Sequence, residues 1–181
     1  MEYKIYQSNI ITSNLEGFKK QCFLAKKIFE QKYNKKLITI EYPNYNVFCL
    51  TSNSILFYNL FQELNFHIRS FIGDNRPLWL QSWLNIHKEN ELKNQLKDHY
   101  HDADYHGYIS IDPKTTTTIF KNYKIENKIG QIYIGPGGEK FKHYVKINES
   151  FQGNRITLGF DVQTNKNTIS SISNIGFIPL I

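Results

Sequence analysis

The feature that most restricts what this chain can fold into is a change of rhythm at Leu78. Before it, apolar residues recur at three-and-four spacing. After it come short runs rich in β-branched and aromatic residues, separated by Gly, Pro and Asn. Residues 15–34 read as an amphipathic helix that Ser13 or Asn14 can cap, with Leu15, Phe18, Cys22, Ala25 and Phe29 on one side. Residues 54–72 read as a second helix. Its broad face of Phe57, Leu60, Phe61, Leu64, Ile68 and Phe71 suits packing on a sheet, and Gly73-Asp74-Asn75-Arg76-Pro77 ends it. Between them, 37–41 and 47–50 read as β-like runs around Pro43 and Asn44 that could pair as a hairpin. The later strands are expected at 78–87, 105–111, 116–120, 130–134, 141–147 and 155–162, with 175–180 as a further candidate. Residues 115–118, four threonines in a row, fit a strand slot by β-propensity. Residues 89–97 read as a polar loop or a short helical turn. Helices first and many short strands after imply a mainly β fold, an antiparallel barrel or jelly roll backed by helices. With neither repeat nor linker, the whole chain, 1–181, is expected to be one domain, with 1–77 as helical support and 78–181 as barrel core.

Composition narrows the setting. No apolar run approaches the roughly 20 residues that span a bilayer, and Met1-Glu2-Tyr3-Lys4 has no signal-peptide pattern. The two cysteines, Cys22 and Cys49, sit among apolar neighbours and read as buried reduced thiols, which fits a cytoplasmic protein. The net charge of +6 comes from scattered lysines, so nucleic acid is a weakly supported partner. No Ser-His-Asp arrangement, zinc-finger spacing, dinucleotide fingerprint or paired-carboxylate motif is present.

The chemistry-bearing residues concentrate in Asp98-His-Tyr-His-Asp-Ala-Asp-Tyr-His-Gly-Tyr-Ile-Ser-Ile-Asp112, which holds three of the six histidines. His99 and His101 are two apart, so in an extended chain both imidazoles leave one face. Two imidazoles can hold one cation from one side, and His143, in an alternating run, is the candidate third ligand. Such a set suits iron, zinc, copper or nickel with an open side for water, substrate or oxygen. The bland alternative is a surface His-x-His in a polar loop. His106 lies an odd number of residues from His101. In an uninterrupted strand it would face the other side; it reads as a metal ligand, a substrate contact, a support for a ligand, or a core or rim histidine. Asp98, Asp102 and Asp104 could each replace a histidine at the metal.

Arg155 and Thr157 share a strand face. A guanidinium binds a carboxylate through two parallel bonds, and the hydroxyl can add a third. With only three arginines in the chain, this one asks for an anionic partner, either a ligand or an internal acid. Gly135-Pro136-Gly137-Gly138 precedes a strand rather than a helix, so it reads as a hairpin turn and not a phosphate loop. Trp79, Trp83, Ile86, Tyr108 and Phe160 are expected in the core or a pocket wall, and Asn85 is the best polar candidate for touching a ligand.

The order Trp83-Leu84-Asn85, His99-x-His101, Gly107-Tyr108-Ile109-Ser110, Gly130-x-Ile132-Tyr133-Ile134-Gly135-Pro136, His143-x-Val145, Arg155-x-Thr157 resembles the small iron(II)/2-oxoglutarate-dependent oxygenases of the prolyl-hydroxylase-like type. The similarity runs over residues 78–162. It implies a double-stranded β-helix in which His99, His101 and His143 hold Fe(II). Arg155 and Thr157 would anchor the far carboxylate of 2-oxoglutarate, and Asn85 and Tyr108 would touch it from facing strands. It also implies O2 as co-reactant and hydroxylation of a small molecule or protein side chain. The chain departs from the family at His101, where the family carries a carboxylate. The competing readings are a three-histidine cupin-type dioxygenase or isomerase that needs no 2-oxoglutarate, and a barrel that binds a ligand without turnover.

Overall fold

The computed structural model describes residues 3–73, 75–91, 97–165 and 176–180. Lys4–Gln7 forms a first strand (β1), followed by a short helix, Asn9–Ser13 (α1), whose first turn is capped by the Ser8 hydroxyl accepting from Ile11 N. Leu15–Tyr33 (α2) follows and ends at Asn34 in the left-handed region. The hairpin expected next is absent. Thr39–Asn44 is a 3-10 helix, and Val47–Leu50 is a single α-helical turn (α3). Pro43 explains part of this: it cannot donate to a ladder, and its fixed φ suits a helical turn. Asn46 explains the rest, because its side chain accepts from Phe48 N as a helix cap. Its amide also donates to Leu80 O and Gly176 O, which ties the turn to the sheet. In that turn Val47 and Phe48 point inward while Cys49 is exposed, so of the two thiols expected to be buried only Cys22 is. Ile55–Ile72 (α4) is the second long helix and closes on Gly73 at φ 79°.

The strands are Leu78–His87 (β2), Tyr105–Asp112 (β3), Thr116–Phe120 (β4), Lys124–Glu126 (β5), Gln131–Pro136 (β6), His143–Ile147 (β7), Arg155–Gln163 (β8) and Ile178–Leu180 (β9). The run expected to be a strand from 141 starts later, because Glu139–Phe141 is a 3-10 turn. In the loop expected after β2, residues 88–91 make a turn closed by Glu91 N to Lys88 O at 3.1 Å, and 92–96 lie outside the described residues.

One sheet has the order β1-β6-β3-β8-β2-β9 and the other β5-β4-β7, and every named pairing is antiparallel. Alternation divides the large sheet into two unlike faces. Leu80, Leu84, Ile109, Ile111, Ile132, Ile134, Ile156, Leu158, Phe160 and Val162 join the long helices in one apolar cluster. The opposite face carries His106, Tyr108, Asn85, Arg155, Thr157 and Asp161, and it looks across a cavity at the small sheet. A smaller cluster of Phe120, Ile125 and Tyr133 fills the space between the sheets beside that cavity. No helix among the described residues is long and apolar enough to cross a membrane.

Candidate metal centre and anion pocket

His143 opens β7, and a single antiparallel pair joins it to His99: His99 N donates to His143 O at 3.0 Å and His143 N to His99 O at 2.8 Å. Residues that exchange both backbone bonds stand directly opposite each other. Here this sets the two imidazoles side by side, ring centres 4.6 Å apart. Two residues on, His101 turns its ring to the same spot, 5.3 Å from His99 and 5.6 Å from His143. One ring nitrogen from each of the three lies within 4.8 Å of the others. His99 Nδ1 is 2.7 Å from Lys97 O, and His143 Nδ1 is 3.0 Å from Phe141 O. A carbonyl can only accept, so these Nδ1 atoms carry the proton and each Nε2 presents a lone pair. Burial above all lowers the pKa of both, His143 to about 3, with the neighbouring imidazoles adding to it. Neutral imidazole is the state a metal ion requires.

The segment 135–138 is not the hairpin turn that its Gly/Pro pattern suggests. It carries the chain from β6 in the large sheet to β7 in the small one, and it clamps the loop bearing His101. Gly137 N donates to Asp104 O at 3.1 Å and Gly138 N to His101 O at 2.8 Å. A Cβ on Gly137 would stand 1.9 Å from Ala103 O, so only glycine fits this approach. The three acids weighed as substitute ligands go elsewhere. Asp98 pairs with Lys142 at 3.0 Å, and Asp104 accepts from Thr164 N and Oγ1 at 2.7 and 2.6 Å. Asp102 lines the cavity but stands outside the three-histidine group.

His106 departs from the parity argument, because the chain bends between 101 and 106 before β3 begins. Its ring therefore faces the cavity, stacked 4.8 Å from His101 and 5.1 Å from His143. It is 1% exposed, its Nε2 has no hydrogen-bond partner, and burial holds its pKa well below the ordinary value.

Arg155 is 2% exposed and lies in the same cavity. Its Nη1 donates to Thr157 Oγ1 at 3.2 Å and its Nε reaches Thr116 Oγ1 at 3.5 Å. Among the described residues no carboxylate lies within 4.0 Å of it. Burial pulls its pKa down to about 10, which leaves the guanidinium charged at neutral pH. Asn85 and Tyr108 line the cavity from the flanking strands. Asn85 Oδ1 accepts from Thr39 Oγ1 at 3.1 Å. The Tyr108 hydroxyl, with Thr118 beside it, has no well-formed hydrogen bond, and burial raises its pKa. The three histidines and the guanidinium thus share one cavity of about 680 Å³.

Two contributors escape the sequence reading. Trp83, expected only as core or wall, stacks on His101 with ring centres 5.5 Å apart. Gly159 makes room for the indole, since a Cβ there would be 2.4 Å from it. Asp161, absent from the sequence candidates, lies with Oδ1 2.9 Å from His101 Nδ1. The signal is available: Arg155, Thr157, Gly159 and Asp161 alternate along β8, so an anchor at one end implies a cavity-facing residue at the other.

No family model and no curated protein matches the sequence. Among solved structures, a full-length Neurospora crassa protein in complex with alpha-KG is similar at a TM-score of 0.39 and 13% identity, over 72% of this chain and 55% of that one. The chain thus spans about half the length of that protein. A likeness at this level names neither a family nor an activity.

Proposed function

We propose that this chain is an iron(II)- and 2-oxoglutarate-dependent oxygenase that hydroxylates its substrate. The observation that carries the reading is Arg155: a buried, charged guanidinium with no acid partner among the described residues, in the same cavity as the three-histidine group. A buried cation without a counter-charge is costly, and a dicarboxylate ligand would supply the charge. On this reading His99, His101 and His143 hold the iron. Arg155 and Thr157 grip the far carboxylate of 2-oxoglutarate, and Tyr108 and Asn85 offer hydrogen bonds along its length. Bound iron supplies the oxygen chemistry: O2 and 2-oxoglutarate become succinate and CO2 as a substrate C–H becomes C–OH. The protein's part is to orient the keto acid and to keep the cavity poor in water, with Trp83 and Tyr42 forming an aromatic wall at 5.1 Å.

The pairings support the jelly-roll form of this fold. Number the barrel segments one to eight as β2, the His99 segment, β3, β4, β5, β6, β7 and β8. First pairs with eighth, second with seventh, third with sixth and fourth with fifth. That is the pattern of one long hairpin rolled on itself. We read the helices before it as support within one domain, residues 1–181.

Anaerobic addition of iron(II) and 2-oxoglutarate should give a weak visible charge-transfer band. Aerobic incubation should release succinate, and both should disappear in Arg155→Ala. The all-imidazole set favours one other reading, a three-histidine cupin-type enzyme without 2-oxoglutarate. Metal binding with activity that ignores both the keto acid and Arg155→Ala would select it. A purified protein that takes up no metal would reduce the chain to a ligand-binding barrel.

A further inference from the structure

We infer that the substrate taken by this cavity carries a cationic amine, seated between the Asp161 and Asp102 carboxylates and the rings of Trp83 and Tyr42, with a neighbouring carbon turned to the metal centre. This rests on the oxygenase reading above and deepens it by naming the substrate class. The cavity has two unlike ends. Arg155 and Asp161 both face it from β8, six residues apart, which is roughly 20 Å along a strand. Asp161 stands at the histidine end, its Oδ1 2.9 Å from His101 Nδ1. Asp102 lines the cavity from the exposed rim. Of the chain's 22 lysines and arginines, Arg155 alone lines the cavity among the described residues.

Both acids lack a counter-charge. Neither pairs with a lysine or arginine among the described residues. Asp161 is 7% exposed, and its buried Oδ1 makes no hydrogen bond although His101 is close. An imidazole that holds a metal ion is neutral, so it brings no charge to that carboxylate. A divalent ion and a dicarboxylate cancel each other, and Arg155 offsets only one of the two acids. A singly charged substrate brings the cavity to neutrality. The walls agree. Trp83 and Tyr42 meet at 5.1 Å, and Tyr100 lines the same cavity, half exposed. Such ring faces attract a cation as well as the alkyl chain that bears it. Both carboxylates are felt at Tyr42: burial raises its pKa most, and the charges of Asp161 and then Asp102 add to the rise. A chain of net charge +6 thus keeps a lysine-free, acidic mouth beside its histidines.

The probes are n-pentylamine, protonated at neutral pH, and 1-pentanol, its uncharged match in length. Their binding is followed in metal-free protein through the NMR signal of the Trp83 indole N–H. Wild type should bind the amine at least about tenfold more tightly than the alcohol. Asp161→Asn should abolish that preference and Asp102→Asn should reduce it, with alcohol binding retained as the sign of an intact cavity. Equal affinity for the two probes in wild type, or a preference that survives Asp161→Asn, overturns the inference. If Asp161→Asn does not fold, Asp102→Asn at the exposed rim decides by whether the preference falls. In cobalt(II)-loaded protein the paramagnetic ion should broaden the chain protons of the bound amine, and sharp signals overturn the inference. Protein that takes up no cobalt overturns the metal reading instead, while the amine preference of the metal-free protein is judged by itself. Nα-acetyl-lysine N-methylamide, titrated in parallel, separates two sources of the same chemistry. Binding as tight as that of n-pentylamine points to a lysine side chain of a protein, and weaker binding to a free amine.

Discussion

Arg155 shows what a single residue can cost and supply. Its charge is buried against two threonine hydroxyls and, among the described residues, no acid, so a cation stands there without a carboxylate beside it. Arg155→Met, close in shape and uncharged, should stabilise the ligand-free protein by on the order of 1–4 kcal/mol and so raise its melting temperature. Adding 2-oxoglutarate with a divalent cation should raise it further in wild type and not in the variant. Thermal melts with and without the keto acid test both. Gly159 makes the complementary case. Its absent side chain leaves the indole of Trp83 flat against the strand. Gly159→Ala should destabilise by about 1–3 kcal/mol through overpacking and weaken cation binding by moving Trp83 off His101. His67 adds a pH effect outside the site. It stacks on Tyr6 at 4.1 Å, and burial, only partly opposed by Glu63, lowers its pKa. The unfolded chain therefore takes up a proton near the ordinary histidine value of about 6.5 that the folded chain refuses, so stability falls as pH drops through that value. In His67→Gln the midpoint of urea unfolding should depend less steeply on pH there.

At the level of elements, the loop 97–104 and the segment 135–138 act as a pair. Gly137→Ala places a Cβ against the backbone oxygen of Ala103, where no side chain can swing aside. The variant should keep its far-ultraviolet circular dichroism and lose cobalt binding by at least about tenfold, as poorly supported ligands do. This is also where the sequence can and cannot be read. Strands such as Leu78–His87 and Thr116–Phe120 are legible because alternation and β-branched residues agree over their length. Val47–Leu50 is not, since four apolar residues fit a strand or a helical turn equally and only the Asn46 cap decides. Lys4–Gln7 escapes notice because it is a largely exposed edge with no apolar face to betray it. The histidines are found by spacing. His106 is misplaced by the same logic because parity fails across a bend that no residue between 101 and 106 advertises.

Across the whole molecule, one large sheet separates two unlike environments, helices and apolar side chains below, imidazoles and a guanidinium above. Hydrogen exchange should be slowest in the interior strands β3 and β8 and faster in β1 and β9 at the sheet edges. A divalent cation should slow exchange most in residues 97–104 and the start of β7, as mass spectrometry would show; uniform protection would argue against a site there. The reason lies in how thinly these parts are joined. The His99 segment meets β7 through one residue pair, and those same two residues belong to the three-histidine group that could hold an ion. The cation would therefore act as the rivet of that corner as well as its reagent: chelate it, and the rim should loosen while the floor beneath stays rigid.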